Sequence, residues 1–147
     1  MNEKAKQYWE GFWQGKEQPQ SVVAEQFGYG DEVIDYLAQL IIDGKKTATC
    51  SCHCLYELEN TPLPTVGLYT IILNSKEDPV AIIRTKEILI LKMSEVTPSL
   101  AEEEGEGGYD VWYEGHKKFF TRDLEEHGLE YSDDLLVIFE RFEVIKC

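Results

Sequence analysis

Two short stretches of the chain carry side chains spaced for chemistry. The first is Gly44-Lys45-Lys46-Thr47-Ala48-Thr49-Cys50-Ser51. Lys46 and Thr49 stand three apart and face opposite sides of a regular strand. They converge only where the backbone turns, which Gly44 permits. A hydroxyl beside a proton acceptor suits nucleophilic acyl transfer. Lys46 accepts that proton only when neutral, and the reference lysine pKa is about 10.4. An acidic surrounding favours the charged form, which instead stabilises an oxyanion or holds a phosphate. A C-terminal helix cap followed by a polar loop accounts for the same residues without any chemistry. The second stretch, Ala101-Glu102-Glu103-Glu104-Gly105-Glu106-Gly107, puts four carboxylates in five positions. Crowded carboxylates raise one another's pKa, as a general acid requires near neutral pH. A solvated helix end is the alternative.

A third stretch places Trp112 and His116 on one helical face, with Tyr113 beside them and Phe119 or Phe120 and Leu124 further along. A histidine on such a stripe is either a hydrogen-bonded core residue or a base. The chain has no His-Glu-x-x-His, Walker loop, Gly-x-Ser-x-Gly or paired Cys-x-x-Cys. Cys50, Cys52 and Cys54 recur at period two, on one face of a strand. Only Cys147, His116 and His127 are left to complete a metal site, and they are scattered. Reduced thiols are therefore expected, with no metal and no cofactor.

The elements that must position these residues follow from periodicity. Lys4 to Lys16 spaces Tyr8, Trp9, Phe12 and Trp13 as an amphipathic helix that Gly15 and Pro19 end. Asp31 is the expected N-cap of a second helix, with Val33, Ile34, Leu37, Leu40 and Ile41 as its stripe and Gly44 as its stop. Leu68 to Leu73 and Val80 to Leu91 read as strands joined by a hairpin over Asn74 to Pro79, the second long enough to bend midway. Asp110 is the expected cap of a helix that runs to about His127 and ends at Gly128. Leu135 to Ile145 alternates as a closing strand. Helices, strands, helices and a last strand give an α+β class.

Composition narrows the partners. The 147 residues fit one domain. A 43% hydrophobic and 12% aromatic content supplies a core. A net charge of −14 argues against wrapping duplex DNA, which rewards lysine and arginine. No apolar run approaches the ~20 residues of a membrane span, and Met1 to Lys16 lacks a secretory apolar core. The expected location is cytoplasmic.

In this order the segments resemble a known family. They are Leu37 to Ser51, the turn Leu63-Pro64-x-Val66-Gly67, Pro79-Val80-Ala81-Ile82-Ile83, Ala101 to Gly105, Trp112-x-x-x-His116-x-x-Phe119-Phe120, and Phe139-Glu140-Arg141-Phe142. Together they resemble the bacterial branch of the ASCH domain family over roughly Phe27 to Cys147. The resemblance implies a PUA-like β-barrel with flanking helices: a single domain over 1–147, with 1–26 a helical extension packed on it. It implies a cleft for RNA or for a nucleoside or nucleotide. Small bacterial members act as amidohydrolases on N4-acetylcytidine through a Lys-Thr-x-Thr motif and a glutamate. Carried over, Lys46, Thr49 and Glu104 would be catalytic. Lys45, Thr47, Ser51, Trp112, Tyr113 and His116 would contact the ligand. Tyr113 stands where many members carry arginine. A non-catalytic RNA- or nucleotide-binding module is the alternative.

Overall fold

The β-branched run Pro79–Lys92 forms the longest strand and the axis of the molecule in the computed structural model, which describes residues 1–147. The strands are β1 (Val22–Glu25), β2 (Ala48–Cys52), β3 (Tyr69–Leu73), β4 (Pro79–Lys92) and β5 (Leu136–Lys146). They form one sheet in the order β1-β3-β4-β5-β2. The first half of β4 pairs with β3 through the expected hairpin, while β5 runs antiparallel along nearly all of it. Register shifts at Ile82/Ile83 and Thr85/Glu87 bend β4 midway. The helices are α1 (Glu3–Trp13), α2 (Asp31–Ile42), α3 (His53–Leu58), α4 (Pro98–Glu102) and α5 (Tyr109–Glu125). The architecture is α+β with a PUA-like fold.

Helices cover both faces of the sheet. Ala5 and Trp9 of α1 pack on Ile71, Leu73 and Ile82. Trp112, Phe120 and Leu124 of α5 pack on Ala48, Cys50, Cys52, Val137 and Phe139. The register puts these two clusters on one face. On the opposite face Ala38 and Ile41 of α2 meet Ile72, Ala81, Ile83 and Phe142. No helix is long and apolar enough to cross a membrane.

Several expectations change at element ends. Gly30, not Asp31, is the N-cap of α2, and Asp31 is its first helical residue. Gly108 caps α5, so Asp110 sits one residue inside the first turn. Both aspartates still place negative charge at the positive end of a helix dipole. Within 1–26, residues Val22–Glu25 are a strand, not helical: β1 runs parallel to β3, with Val22 opposite Tyr69. Four residues, three half-buried and Glu25 exposed, are too few to show a period, and their partner lies far along the chain. The cysteines do not share one strand. β2 ends at Cys52 and α3 begins at His53, so Cys54 turns back and its Sγ lies 3.5 Å from that of Cys52.

Candidate functional site

The lysine loop is shaped by what precedes it and by what lies on it. Lys45 N and Lys46 N both donate to Leu40 O, at 2.9 and 3.1 Å, as the chain leaves α2 through Gly44 at φ +75°. The acidic loop then docks on it, with Thr47 N donating to Glu103 O at 2.8 Å. Gly105 makes this approach possible. Its φ is +69°, and a Cβ there would stand 2.4 Å from Lys45 O, so only glycine fits without backbone movement.

This docking buries an ion network. Lys46 Nζ donates to Glu104 Oε1 at 2.9 Å and to Glu106 Oε2 at 3.0 Å. Lys46 and Glu104 are each 1% exposed. The indole Nε1–H of Trp112 donates to Glu104 Oε2. His116 Nε2 stands 3.4 Å from the same oxygen, and its Nδ1 contacts Trp112 O at 2.9 Å. Burial opposes charge on Lys46, but Glu104 and Glu106 outweigh it and lift its pKa above the ordinary value. Burial likewise opposes ionisation of Glu104, but Lys46 and His116 hold its carboxyl well below the usual range. For His116 the two glutamates overcome burial and raise its pKa. Burial dominates at Glu106, although its side chain is 20% exposed, and its pKa rises. Glu104, Glu106 and His116 offer ligand atoms within 4.8 Å of one another, a spacing that suits a metal ion. The Lys46 ammonium bonds both carboxylates and supplies the positive charge itself. Arg141 extends the network, bonding Glu103 at 2.8 and 2.9 Å and also Glu87.

Thr49 belongs to a different surface. β2 alternates, with Ala48, Cys50 and Cys52 buried under α5 beside the lysine network. Thr49 and Ser51 therefore point to the opposite face. There Thr49 pairs across the strands with Glu140, and Ser51 with Ile138. Glu140 Oε2 accepts from Thr85 Oγ1 at 3.1 Å, and the Ser51 and Tyr56 hydroxyls meet at 2.8 Å. Burial pushes the Glu140 carboxyl up to about 7, the Thr85 bond restrains it, and Glu25 of β1 adds to the rise. Burial pushes Tyr56 to about 12, eased by Ser51 and reinforced by Glu140 and Glu25. Glu25 of the edge strand β1 thus acts on Glu140 of β5 and on Tyr56 of α3, at the other side of the sheet.

Lys46, Glu104, Trp112 and His116 are accordingly one buried cluster, while Thr49 and Ser51 line the other face of β2. Lys45 is exposed. Thr47 Oγ1 donates to Glu103 O at 3.2 Å, and Tyr113, half-buried against the core beneath α5, donates its hydroxyl to Asp133 at 2.6 Å. Sequence reasoning passed over Glu140 and Thr85 as site residues. The signal for Glu140 was a carboxylate in the alternating run Leu136–Ile145 at the parity of the buried Ile138 and Phe142, whereas Glu143 has the opposite parity and is exposed. A groove of about 380 Å³ between α2 and the β3–β4 hairpin carries no comparable chemistry, and its Asp35 is engaged by Ser75.

The family model of the ASCH domain matches residues 24–146, and the chain belongs to that family. Two solved structures are similar over nearly their whole length. An ASCH domain from Lactobacillus crispatus is 27% identical with a TM-score of 0.94, covering 100% of this chain and 97% of that one. A protein from Enterococcus faecalis is 36% identical with a TM-score of 0.90, covering 99% and 90%. An ASCH protein variant from Zymomonas mobilis, 13% identical with a TM-score of 0.50, covers 83% of this chain and 67% of that one and shares the fold alone. No curated protein matches the chain.

Proposed function

We propose that the chain binds a nucleoside in preference to an RNA backbone, on the polar face of β2 and β5, and hydrolyses an acyl amide on its base, as in N4-acylated cytidine. One observation carries the choice of ligand: the cations that flank β2 on its other face are neutralised from within and offer no charge to a phosphate chain. Lys46 is held by Glu104 and Glu106, and Arg141 by Glu87 and Glu103. Lys45 alone remains exposed in the loop, too little to track a phosphate chain on a protein of net charge −14. The opposite face offers hydroxyls from Thr49, Ser51, Tyr56 and Thr85, which suit a neutral polar ligand, and an aromatic ring at Tyr56 for stacking.

In this reading Thr49 is the nucleophile. Lys46 stays charged and is not its base. Together with Glu104 and Trp112, Lys46 fixes the loop from which β2 departs. The test is turnover of N4-acetylcytidine by the purified chain, followed by absorbance, beside titration with short single-stranded RNA at several salt concentrations. The expected result is turnover that Thr49→Ala abolishes while calorimetry still detects nucleoside binding. Nucleoside binding without turnover leaves a binding module. RNA affinity that falls with log salt at about −0.7 per phosphate contact overturns the nucleoside preference.

A further inference from the structure

We propose that Glu140 is the catalytic base and acid of this face, taking the proton of Thr49 and delivering it to the departing amine. The inference rests on the amide-hydrolysis reading and assigns the group that reading lacks. Thr49 and Glu140 are direct partners across the antiparallel pair β2–β5. Such partners have Cβ atoms about 4.5–5.5 Å apart and side chains on the same face, so that rotation about the two side chains brings hydroxyl and carboxylate together once substrate is bound. Thr85 occupies Oε2 of Glu140, and Oε1 has no protein partner. No basic side chain forms an ion pair with Glu140. The titratable groups facing it are Glu25 from β1 and Tyr56 from α3, while β4 contributes the neutral Thr85 hydroxyl. Burial and Glu25 raise the carboxyl to about 7, where a group both accepts and donates protons at neutral pH.

The steps balance. The Glu140 carboxylate takes the Thr49 hydroxyl proton as Oγ1 bonds the acyl carbon. The adduct collapses with loss of the C–N bond, and the proton passes from Glu140 to the leaving nitrogen, freeing the amine and leaving a threonyl ester. Water then adds to the ester carbon and gives a proton to Glu140. That proton returns to Thr49 Oγ1 as the carboxylic acid departs.

The experiment is the pH profile of N4-acetylcytidine hydrolysis by wild type, Glu140→Gln, Glu140→Asp and Thr85→Val. Wild-type kcat/KM should rise with pH through an inflection near 7. Glu140→Gln should lower kcat about 100- to 10,000-fold with KM little changed and erase the inflection, and Glu140→Asp should restore part of the rate. Thr85→Val removes the bond that restrains Glu140, so its inflection should move to higher pH. This arm decides the matter even if Glu140→Gln fails to fold. An active wild type whose profile is unchanged in Glu140→Gln or Thr85→Val overturns the role of Glu140 and leaves the hydrolysis standing. A folded wild type without turnover overturns both.

Discussion

Lys46→Met isolates the energetics of the buried network. The substitution keeps the length and packing of the side chain but removes the ammonium that bonds Glu104 and Glu106. Glu104, 1% exposed, then carries its charge with only His116 and the Trp112 N–H for company. Breaking a buried pair in this one-sided way costs about 3–5 kcal/mol. For a chain of this size each kcal/mol moves Tm by about 2–4 °C, so the expected loss is about 6–20 °C. Chemical denaturation monitored by tryptophan fluorescence and circular dichroism reads both quantities. The pH dependence follows from the signs of the shifts. In wild type Glu104 lies below its unfolded value, so its stabilisation is present above about pH 4.3 and is lost as pH falls through the folded value. In Lys46→Met the uncompensated carboxyls rise above their unfolded values, so the variant is most impaired near neutrality and is relieved as they protonate. The gap between the two proteins should therefore narrow from pH 7 toward pH 4. Glu104→Gln in the Lys46→Met background should recover most of the loss, because no lone charge stays buried there. A cost under about 1 kcal/mol at pH 7, the range of exposed pairs, or a gap that ignores pH, would refute the reasoning.

Other outcomes follow from the same geometry. Gly105→Ala should destabilise by at least about 1–2 kcal/mol in thermal denaturation, because it adds a left-handed alanine and sets its Cβ against Lys45 O. His116 has a raised pKa, so its contribution is full below about pH 6.5 and is lost as pH rises through the folded value. NMR titration of His116 should show the elevated midpoint, and Glu104→Gln should bring it down. Burial pushes the Cys50 thiol well above its ordinary pKa and, with Cys54, the Cys52 thiol to about 12. A thiol reagent at neutral pH should therefore label the exposed Cys147 first and reach Cys50 and Cys52 only on unfolding, as peptide mapping would show.

Much of the molecule was legible without coordinates because its signals are local. The Trp9–Trp13 spacing, the Trp112–Phe120–Leu124 stripe and the β-branched run of β4 each carry their own period. The Asn74–Pro79 turn residues mark the hairpin in the same way. Gly28, Gly44 and Gly128 sit at positive φ where the chain changes direction. The lysine loop and the acidic loop stood out by composition, and the meeting of Lys46 with Glu104 followed the family resemblance. The short parallel strand β1 was not legible. Its four residues are stabilised by β3 and by α1, more than forty positions away for β3, and not by any pattern of their own.

Residue types and alternation determined which side chains were available: a lysine, two threonines, a run of glutamates and a histidine on an aromatic stripe, all in an acidic chain. Tertiary structure alone decided what each of them is. Packing of the acidic loop on the lysine loop removed Lys46 from water and gave it two carboxylates, which makes it a fixed cation. The antiparallel pairing of β2 with β5 set Thr49 opposite Glu140, and the fold brought Glu25 of β1 and Tyr56 of α3 toward the same carboxyl. Ionisation depends on the dielectric and charges within a few ångströms, and chain neighbours supply only part of that surrounding.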